Sequence, residues 1–145
     1  MASLEKAISI AAAAHEGQFR KVTHEPYVVH PLRAMLHALK FGNDFAIVAI
    51  LHDVVEDTDI TISSLREMGF EDKILKAVEL LTKAKGIHYA TYLADIKANP
   101  LARIVKILDM EDNMRDLEML GVESPNYEQR LRKKYTEGLI YLRGR

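Results

Sequence analysis

The chain has 145 residues, 20 Lys and Arg against 21 Asp and Glu, 48% apolar residues and no cysteine. That length fits one domain spanning 1–145 that can fold without a staple, and the missing cysteine excludes disulfides, thiolate nucleophiles, zinc fingers and iron–sulfur clusters. A net charge of −1 removes the general electrostatic reason to bind nucleic acid or an anionic membrane, and the alanine-rich run 7–14 is too short to span a bilayer, so a cytoplasmic protein is expected.

Hydrophobic spacing reads helical nearly everywhere. Ser3 can cap a first helix through Leu4, Ile8, Ala11 and Ala12. Gly17 to Tyr27 is a polar loop. Pro31 suits the first position of a second helix, with His30 held extended before it and Gly42 just past its end. A third helix, apolar on nearly every side, is expected from Phe45 to about Val55. Thr61 caps a short helix that Gly69 closes, and Glu71 to Leu81 makes another with Ile74, Leu75, Val78 and Leu81 on one face. Tyr89, Tyr92, Leu93 and Ile96 mark a further amphipathic helix. Asn99-Pro100 stops it and starts the longest one, Leu101 to Leu120, and Ser124-Pro125 opens the last. The expectation is one all-α domain of about eight helices.

Charge then appears in the wrong places. In FAIVAILHDVVEDT, His52, Asp53, Glu56 and Asp57 interrupt the most hydrophobic stretch, and the helical period stacks Glu56 and Asp57 one turn beyond His52 and Asp53. Either these are solvated charges at an exposed helix end or a buried cluster that something cationic must meet. In LARIVKILDMEDNMRDL, Lys106, Asp109, Asn113 and Asp116 form a polar stripe on a helix apolar on two sides, as in a helix central to its domain. The alternative is a surface stripe tied by Lys106 and Asp109.

His30, His52, Asp53 and Asp109 together make a two-His, two-Asp set from distant parts of the chain. Imidazole and carboxylate suit a divalent ion such as Mn²⁺, Fe²⁺, Zn²⁺ or Mg²⁺, and four protein donors leave coordination positions for water and a substrate oxygen. His15, His24, His37 and His88 have no comparable setting and read as peripheral or structural.

AHEGQFRK, EPYVVHP, LHDVVEDT, LTK and VKILDMEDNMR resemble the hydrolase domain of RelA/SpoT proteins and small alarmone hydrolases, within the HD-domain metal phosphohydrolases. The resemblance covers about Ala12 to Leu117. It implies an HD-type helical bundle around one metal, normally Mn²⁺, that removes pyrophosphate from the 3′ position of guanosine tetra- and pentaphosphate. It also implies metal ligands at His30, His52, Asp53 and Asp109, and a catalytic acidic pair at Glu56 and Asp57. Arg20 and Lys21 match the family's Arg-Lys beside base and ribose; Asn113 and Tyr135 match further nucleotide contacts. Lys106 either offsets phosphate charge or holds Asp109 in place.

Where the family reads LADRLHNMRTL, this chain reads ILDMEDNMRDL, so Asp112 replaces a His and Asp116 a small hydroxyl residue. A carboxylate at 116 should repel a phosphate at close range. That keeps open an HD phosphohydrolase of another nucleotide, or a non-catalytic nucleotide-binding module. Tyr89, Tyr92 and the last helix are candidate surfaces for a homo-oligomer.

Overall fold

The structure, a computed structural model, describes residues 1–120 and 125–144. Among them the expected all-α architecture is borne out. The described residues form nine α-helices and one 3₁₀ turn, and the only β feature among them is an isolated bridge between Phe19 and Pro26. Ser124, the expected start signal of the last helix, lies outside the described residues.

The Ser3 hydroxyl accepts from Lys6 N at 3.1 Å and starts α1, Leu4–Ala14, whose buried Ala7 and Ala11 let it lie close against α3. The loop from His15 to Val28 folds back on itself: Arg20 N donates to Glu25 O at 2.9 Å and Tyr27 N to Gln18 O at 2.8 Å. At its tip His24 takes φ 60°, a left-handed conformation natural to glycine. The α2 helix spans Val29–Ala38, two residues earlier than Pro31 suggested. His30 is therefore helical rather than extended. Pro31 is tolerated in this first turn because its missing N–H would find no intrahelical acceptor there. Turn bonds from Val29 N to Pro26 O and His30 N to Tyr27 O draw the chain into the helix.

A 3₁₀ turn, Leu39–Phe41, and Gly42 at φ 131° lead into α3, Asn43–Leu51, in which every residue from Ala46 to Leu51 is buried. The single helix expected to run to Val55 instead breaks at His52 and Asp53 and resumes as α4, Val54–Asp57. His52 turns both its backbone N–H (3.4 Å) and its ring Nδ1–H (2.5 Å) onto Ala49 O, occupying the carbonyl that a continuing helix would offer to Asp53.

The remaining helices enclose this one. The α5 helix, Ile62–Glu67, opens with a reciprocal Thr61–Ser64 capping box, and α6, Asp72–Leu81, buries Ile74, Leu75, Ala77, Val78 and Leu81 as its spacing predicts. Tyr92, in α7 (Tyr89–Lys97), is buried with its hydroxyl donating to Leu81 O at 2.8 Å, so it offers no surface to a second copy. The long α8, Pro100–Leu120, packs against α2, α3, α6, α7 and α9, the central position its two apolar flanks required. The last helix, α9, is Pro125–Arg143. Gly138 lets it approach α8 closely, because a Cβ there would lie 2.8 Å from Met110 Cε. Among the described residues no helix is long and apolar enough to cross a membrane.

Candidate metal centre and adjoining cavity

Three elements meet at one point beneath the centre of α8. The first turn of α2 supplies His30, the α3–α4 break supplies His52 and Asp53, and α8 supplies Asp109; one donor atom from each lies within 4.8 Å of the others, and all four are buried. His30 Nε2 is 2.8 Å and His52 Nε2 3.2 Å from Asp109 Oδ1. Asp53 Oδ2 lies 3.1 Å from His52 Nε2 and 3.6 Å from His30 Nε2. The break in the helix is what lets the adjacent His52 and Asp53 face the same centre, since neighbours on a regular helix diverge by about 100°.

Both imidazoles point the same kind of nitrogen inward because the other is occupied. His30 Nδ1 sits 2.6 Å from Asp112 Oδ2, and His52 Nδ1–H donates to Ala49 O. With protons held at Nδ1, both Nε2 lone pairs face the two carboxylates, a donor set that fits a divalent cation. Burial opposes protonation of both imidazoles, yet the neighbouring carboxylates outweigh it. His30 and His52 are raised above the ordinary 6.5, while Asp53 is lowered to about 2 and Asp109 well below the carboxylate range. Tyr27, singled out by no sequence signal beyond its place in PYVVHP, donates its hydroxyl to Asp53 Oδ2 at 2.7 Å.

Lys106 Nζ lies 2.9 Å from Asp109 Oδ2 and over the Tyr92 ring at 5.4 Å. It is not among the residues lining the cavity that collects the other candidate nucleotide contacts, and its ion-pair partner is Asp109. That cavity, about 620 Å³, is lined by Gln18, Phe19, Arg20, Lys21, Val22, Tyr27, Asp57, Asn113, Asp116, Leu117, Tyr127, Leu131 and Tyr135. Tyr27 and Asp57 form its wall towards the buried cluster.

Glu56 and Asp57 follow directly from Asp53 on α4. Glu56 Oε1 accepts from Lys83 N at 3.0 Å, which assigns a contact to the LTK segment. Partial desolvation, reinforced by the charge of Asp53, raises both carboxyls above their ordinary values. The backbone carbonyl of Asp57 accepts from Gln18 Nε2 at 2.9 Å, and Gln18 Oε1 is 2.8 Å from Nδ1 of buried His15. His15 thus pins the loop to α4. His24, His37 and His88 are exposed.

The two acidic departures in α8 are both answered by arginines. Arg33 grips Asp112 with Nε at 2.6 Å and Nη2 at 3.0 Å. Arg20 reaches Asp116 Oδ2 with Nη2 at 2.6 Å and Nε at 3.1 Å, and Asn113 Oδ1 at 3.0 Å. Arg20 thus engages Asp116 through Oδ2 alone, while Oδ1 is buried without a hydrogen-bond partner. Asp112 is a neighbour of the metal cluster and not a cavity residue.

The HD domain family, compared with this sequence, matches residues 7–131. The chain belongs to the HD domain family. Among its relatives, a guanosine-3′,5′-bis(diphosphate) 3′-pyrophosphohydrolase of Borreliella burgdorferi is 31% identical over 143 residues, 90% of this chain and 21% of that protein. A protein of the same name from Aquifex aeolicus is 34% identical over 124 residues, 79% of this chain and 18% of that one. The chain thus spans about a fifth of the curated relatives it matches. A solved structure described as a metazoan ortholog of SpoT that hydrolyzes ppGpp shares the fold. It superposes with a TM-score of 0.81 at 24% identity, over 99% of this chain and 87% of that one. The resemblance to RelA/SpoT hydrolase domains read from the motifs is borne out.

Proposed function

We propose that residues 1–145 form one catalytic HD domain that hydrolyses guanosine tetraphosphate (ppGpp), releasing pyrophosphate from its 3′ position. The observation that carries the reading is a buried four-donor cluster lying just behind a cavity lined by Arg20, Lys21, Asn113 and Tyr135. The names of the curated relatives support the same substrate.

His30, His52, Asp53 and Asp109 would hold the metal, and Mn²⁺ is the ion proposed, with Fe²⁺, Zn²⁺ and Mg²⁺ compatible with the same donors. A bound divalent ion supplies two things, a lowered water pKa and a polarised phosphoryl oxygen. Glu56 and Asp57 stand beside Asp53, and their raised pKa values bring them towards the range of a base able to orient the attacking water and hold its proton at a carboxylate oxygen. Lys106 neutralises Asp109 and occupies its Oδ2, which keeps Oδ1 aimed at the imidazoles. Arg20 and Lys21 bind the base and ribose, Asn113 the ribose and 3′ phosphate, and Tyr135 lines the same cavity as a further nucleotide contact. The protein acts in the cytoplasm.

A second reading, hydrolysis of a different phosphorylated nucleotide, is favoured by the engagement of Arg20 with Asp116. A panel of nucleotides incubated with the purified chain and Mn²⁺ separates the two. Pyrophosphate and GDP from ppGpp, abolished by a chelator, are expected. Release of phosphate from simpler nucleotides with ppGpp untouched would overturn the proposal in favour of the second reading.

A further inference from the structure

His30 is attached to the loop that lines the cavity through a chain of charged side chains. Its Nδ1 meets Asp112 Oδ2 at 2.6 Å; Asp112 is held by Arg33 through both oxygens; and Arg33 Nη2 lies 2.8 Å from Glu25 Oε1. Glu25 belongs to the loop, where its carbonyl accepts from Arg20 N at 2.9 Å. Arg20 in turn closes onto Asn113 and Asp116, one turn along α8 from Asp112. The same short loop is therefore fastened twice to α8, once by Arg20 at the cavity and once by Glu25 through Arg33 to Asp112, the partner of His30.

We propose that Asp112 is a positioning residue for His30 and that Glu25–Arg33–Asp112–His30 couples the conformation of the 16–28 loop to metal affinity. This rests on the metal reading above. A carboxylate accepts and does not donate, so Asp112 holds the proton of His30 on Nδ1 and keeps the Nε2 lone pair directed at Asp109 and Asp53. The two-point grip of Arg33 fixes the plane of that carboxylate, and with it the plane of the imidazole. Asp112 does not line the cavity, so this role does not pass through substrate. Residues that orient a metal-bound histidine typically change affinity by about 10–100-fold when removed.

The test is titration of the full chain, stripped of metal by a chelator, with Mn²⁺ alone. Asp112→Ala is expected to weaken Mn²⁺ binding by about 10–100-fold. Arg103→Met serves as the control for a merely structural effect. Arg103 bonds Leu142 O and Gly144 O at 2.5 Å each, far along the bundle, so its loss should lower stability and leave Mn²⁺ affinity unchanged. Should Asp112→Ala fail to fold, Glu25→Gln carries the question from the loop end, with a loss of roughly threefold or more expected. Wild-type affinity in the folded Asp112→Ala variant overturns the positioning role, and wild-type affinity in Glu25→Gln overturns the coupling. A wild-type chain that binds no divalent ion overturns the metal reading itself, and this inference with it.

Discussion

The pair Arg20–Asp116 bridges the cavity, and its strength follows from its burial. The two side chains are 12% and 7% exposed, and Arg20 adds a third bond to Asn113. Unit charges about 4 Å apart attract by about 4 kcal/mol at an effective dielectric constant near 20, from which desolvation subtracts. Arg20→Met leaves Asp116 in its pocket, with only the exposed Arg115 at 3.8 Å to meet it, and Asp116 Oδ1 already lacks a hydrogen-bond partner. The expected loss is about 3 kcal/mol, the low end for a stranded buried charge. Asp116→Ala strands less, because Arg20 keeps Asn113 and faces the cavity, and should cost about 1.5 kcal/mol. With a coupling of about 2 kcal/mol the double variant loses about 2.5 kcal/mol and not the additive 4.5. Urea unfolding of the four proteins at low salt and pH 7, with metal chelated, completes the cycle. In thermal melts Arg20→Met should lose about 6–12 °C. A coupling below about 0.5 kcal/mol, the value of an exposed pair, would refute the reasoning.

Three further outcomes are expected. Glu56→Gln should lower kcat by about 10²–10⁴-fold while Mn²⁺ binding, measured by titration, stays at wild-type strength, because Glu56 lies outside the four-donor set; equal loss of both would make it a ligand. In the chelated protein, His30 and His52 have folded pKa values raised above 6.5, so their stabilisation is present below pH 6.5 and lost as pH rises through the folded values. Asp53 and Asp109 are depressed below 3.8, so theirs is present above that pH and lost as pH falls. Because Mn²⁺ needs both imidazoles neutral, the rise in Tm on adding it should grow between pH 6 and pH 8, and a rise that shrinks over that interval would contradict the assignment. His24→Gly should relieve the left-handed strain at φ 60° against glycine's greater unfolded-state entropy, a net gain of about 0.5 kcal/mol by urea unfolding.

What could be read from the sequence follows from the range over which each signal acts. The amphipathic stripe of α6 and the doubly apolar α8 are set by local spacing, and both formed as expected. His52, Asp53 and Asp109 stood out because ionisable groups within apolar helices must be met by something. The break between α3 and α4 was not legible, since its cause is the ring of His52 competing for Ala49 O, a choice of side-chain orientation rather than a propensity. His30 is helical despite the extended bias of a residue before proline, because that bias is local whereas its helical conformation is drawn in by the turn bonds of the preceding loop. Asp112 and Arg33 are 79 residues apart, and nothing local to either marks the pair. Only the packing of α2 on α8 turns a departure from the family pattern into a partner for His30.

On the proposed nucleotide reading, Asp116 bears on substrate choice and Asp112, outside the cavity, does not. Arg33 neutralises Asp112 away from the cavity, whereas Asp116 is neutralised by Arg20, the residue the family resemblance gives to the nucleotide. On that reading the carboxylate at 116 would act on a ligand by competing for Arg20, more than by repelling phosphate directly. For a nucleotide to gain Arg20, the ion pair must open; the coupling of about 2 kcal/mol then appears as roughly a 30-fold penalty on binding through that side chain. Exposed Lys21 needs no such release. Asp116→Ala and Arg20→Met should consequently both destabilise the fold yet move the affinity for ppGpp in opposite directions, tighter in the first and weaker in the second. Equilibrium binding to Glu56→Gln protein carrying each change measures this without turnover. A weaker affinity in both would mean that the Arg20–Asp116 pair itself shapes the nucleotide pocket, and that Arg20 is not held in reserve for the ligand.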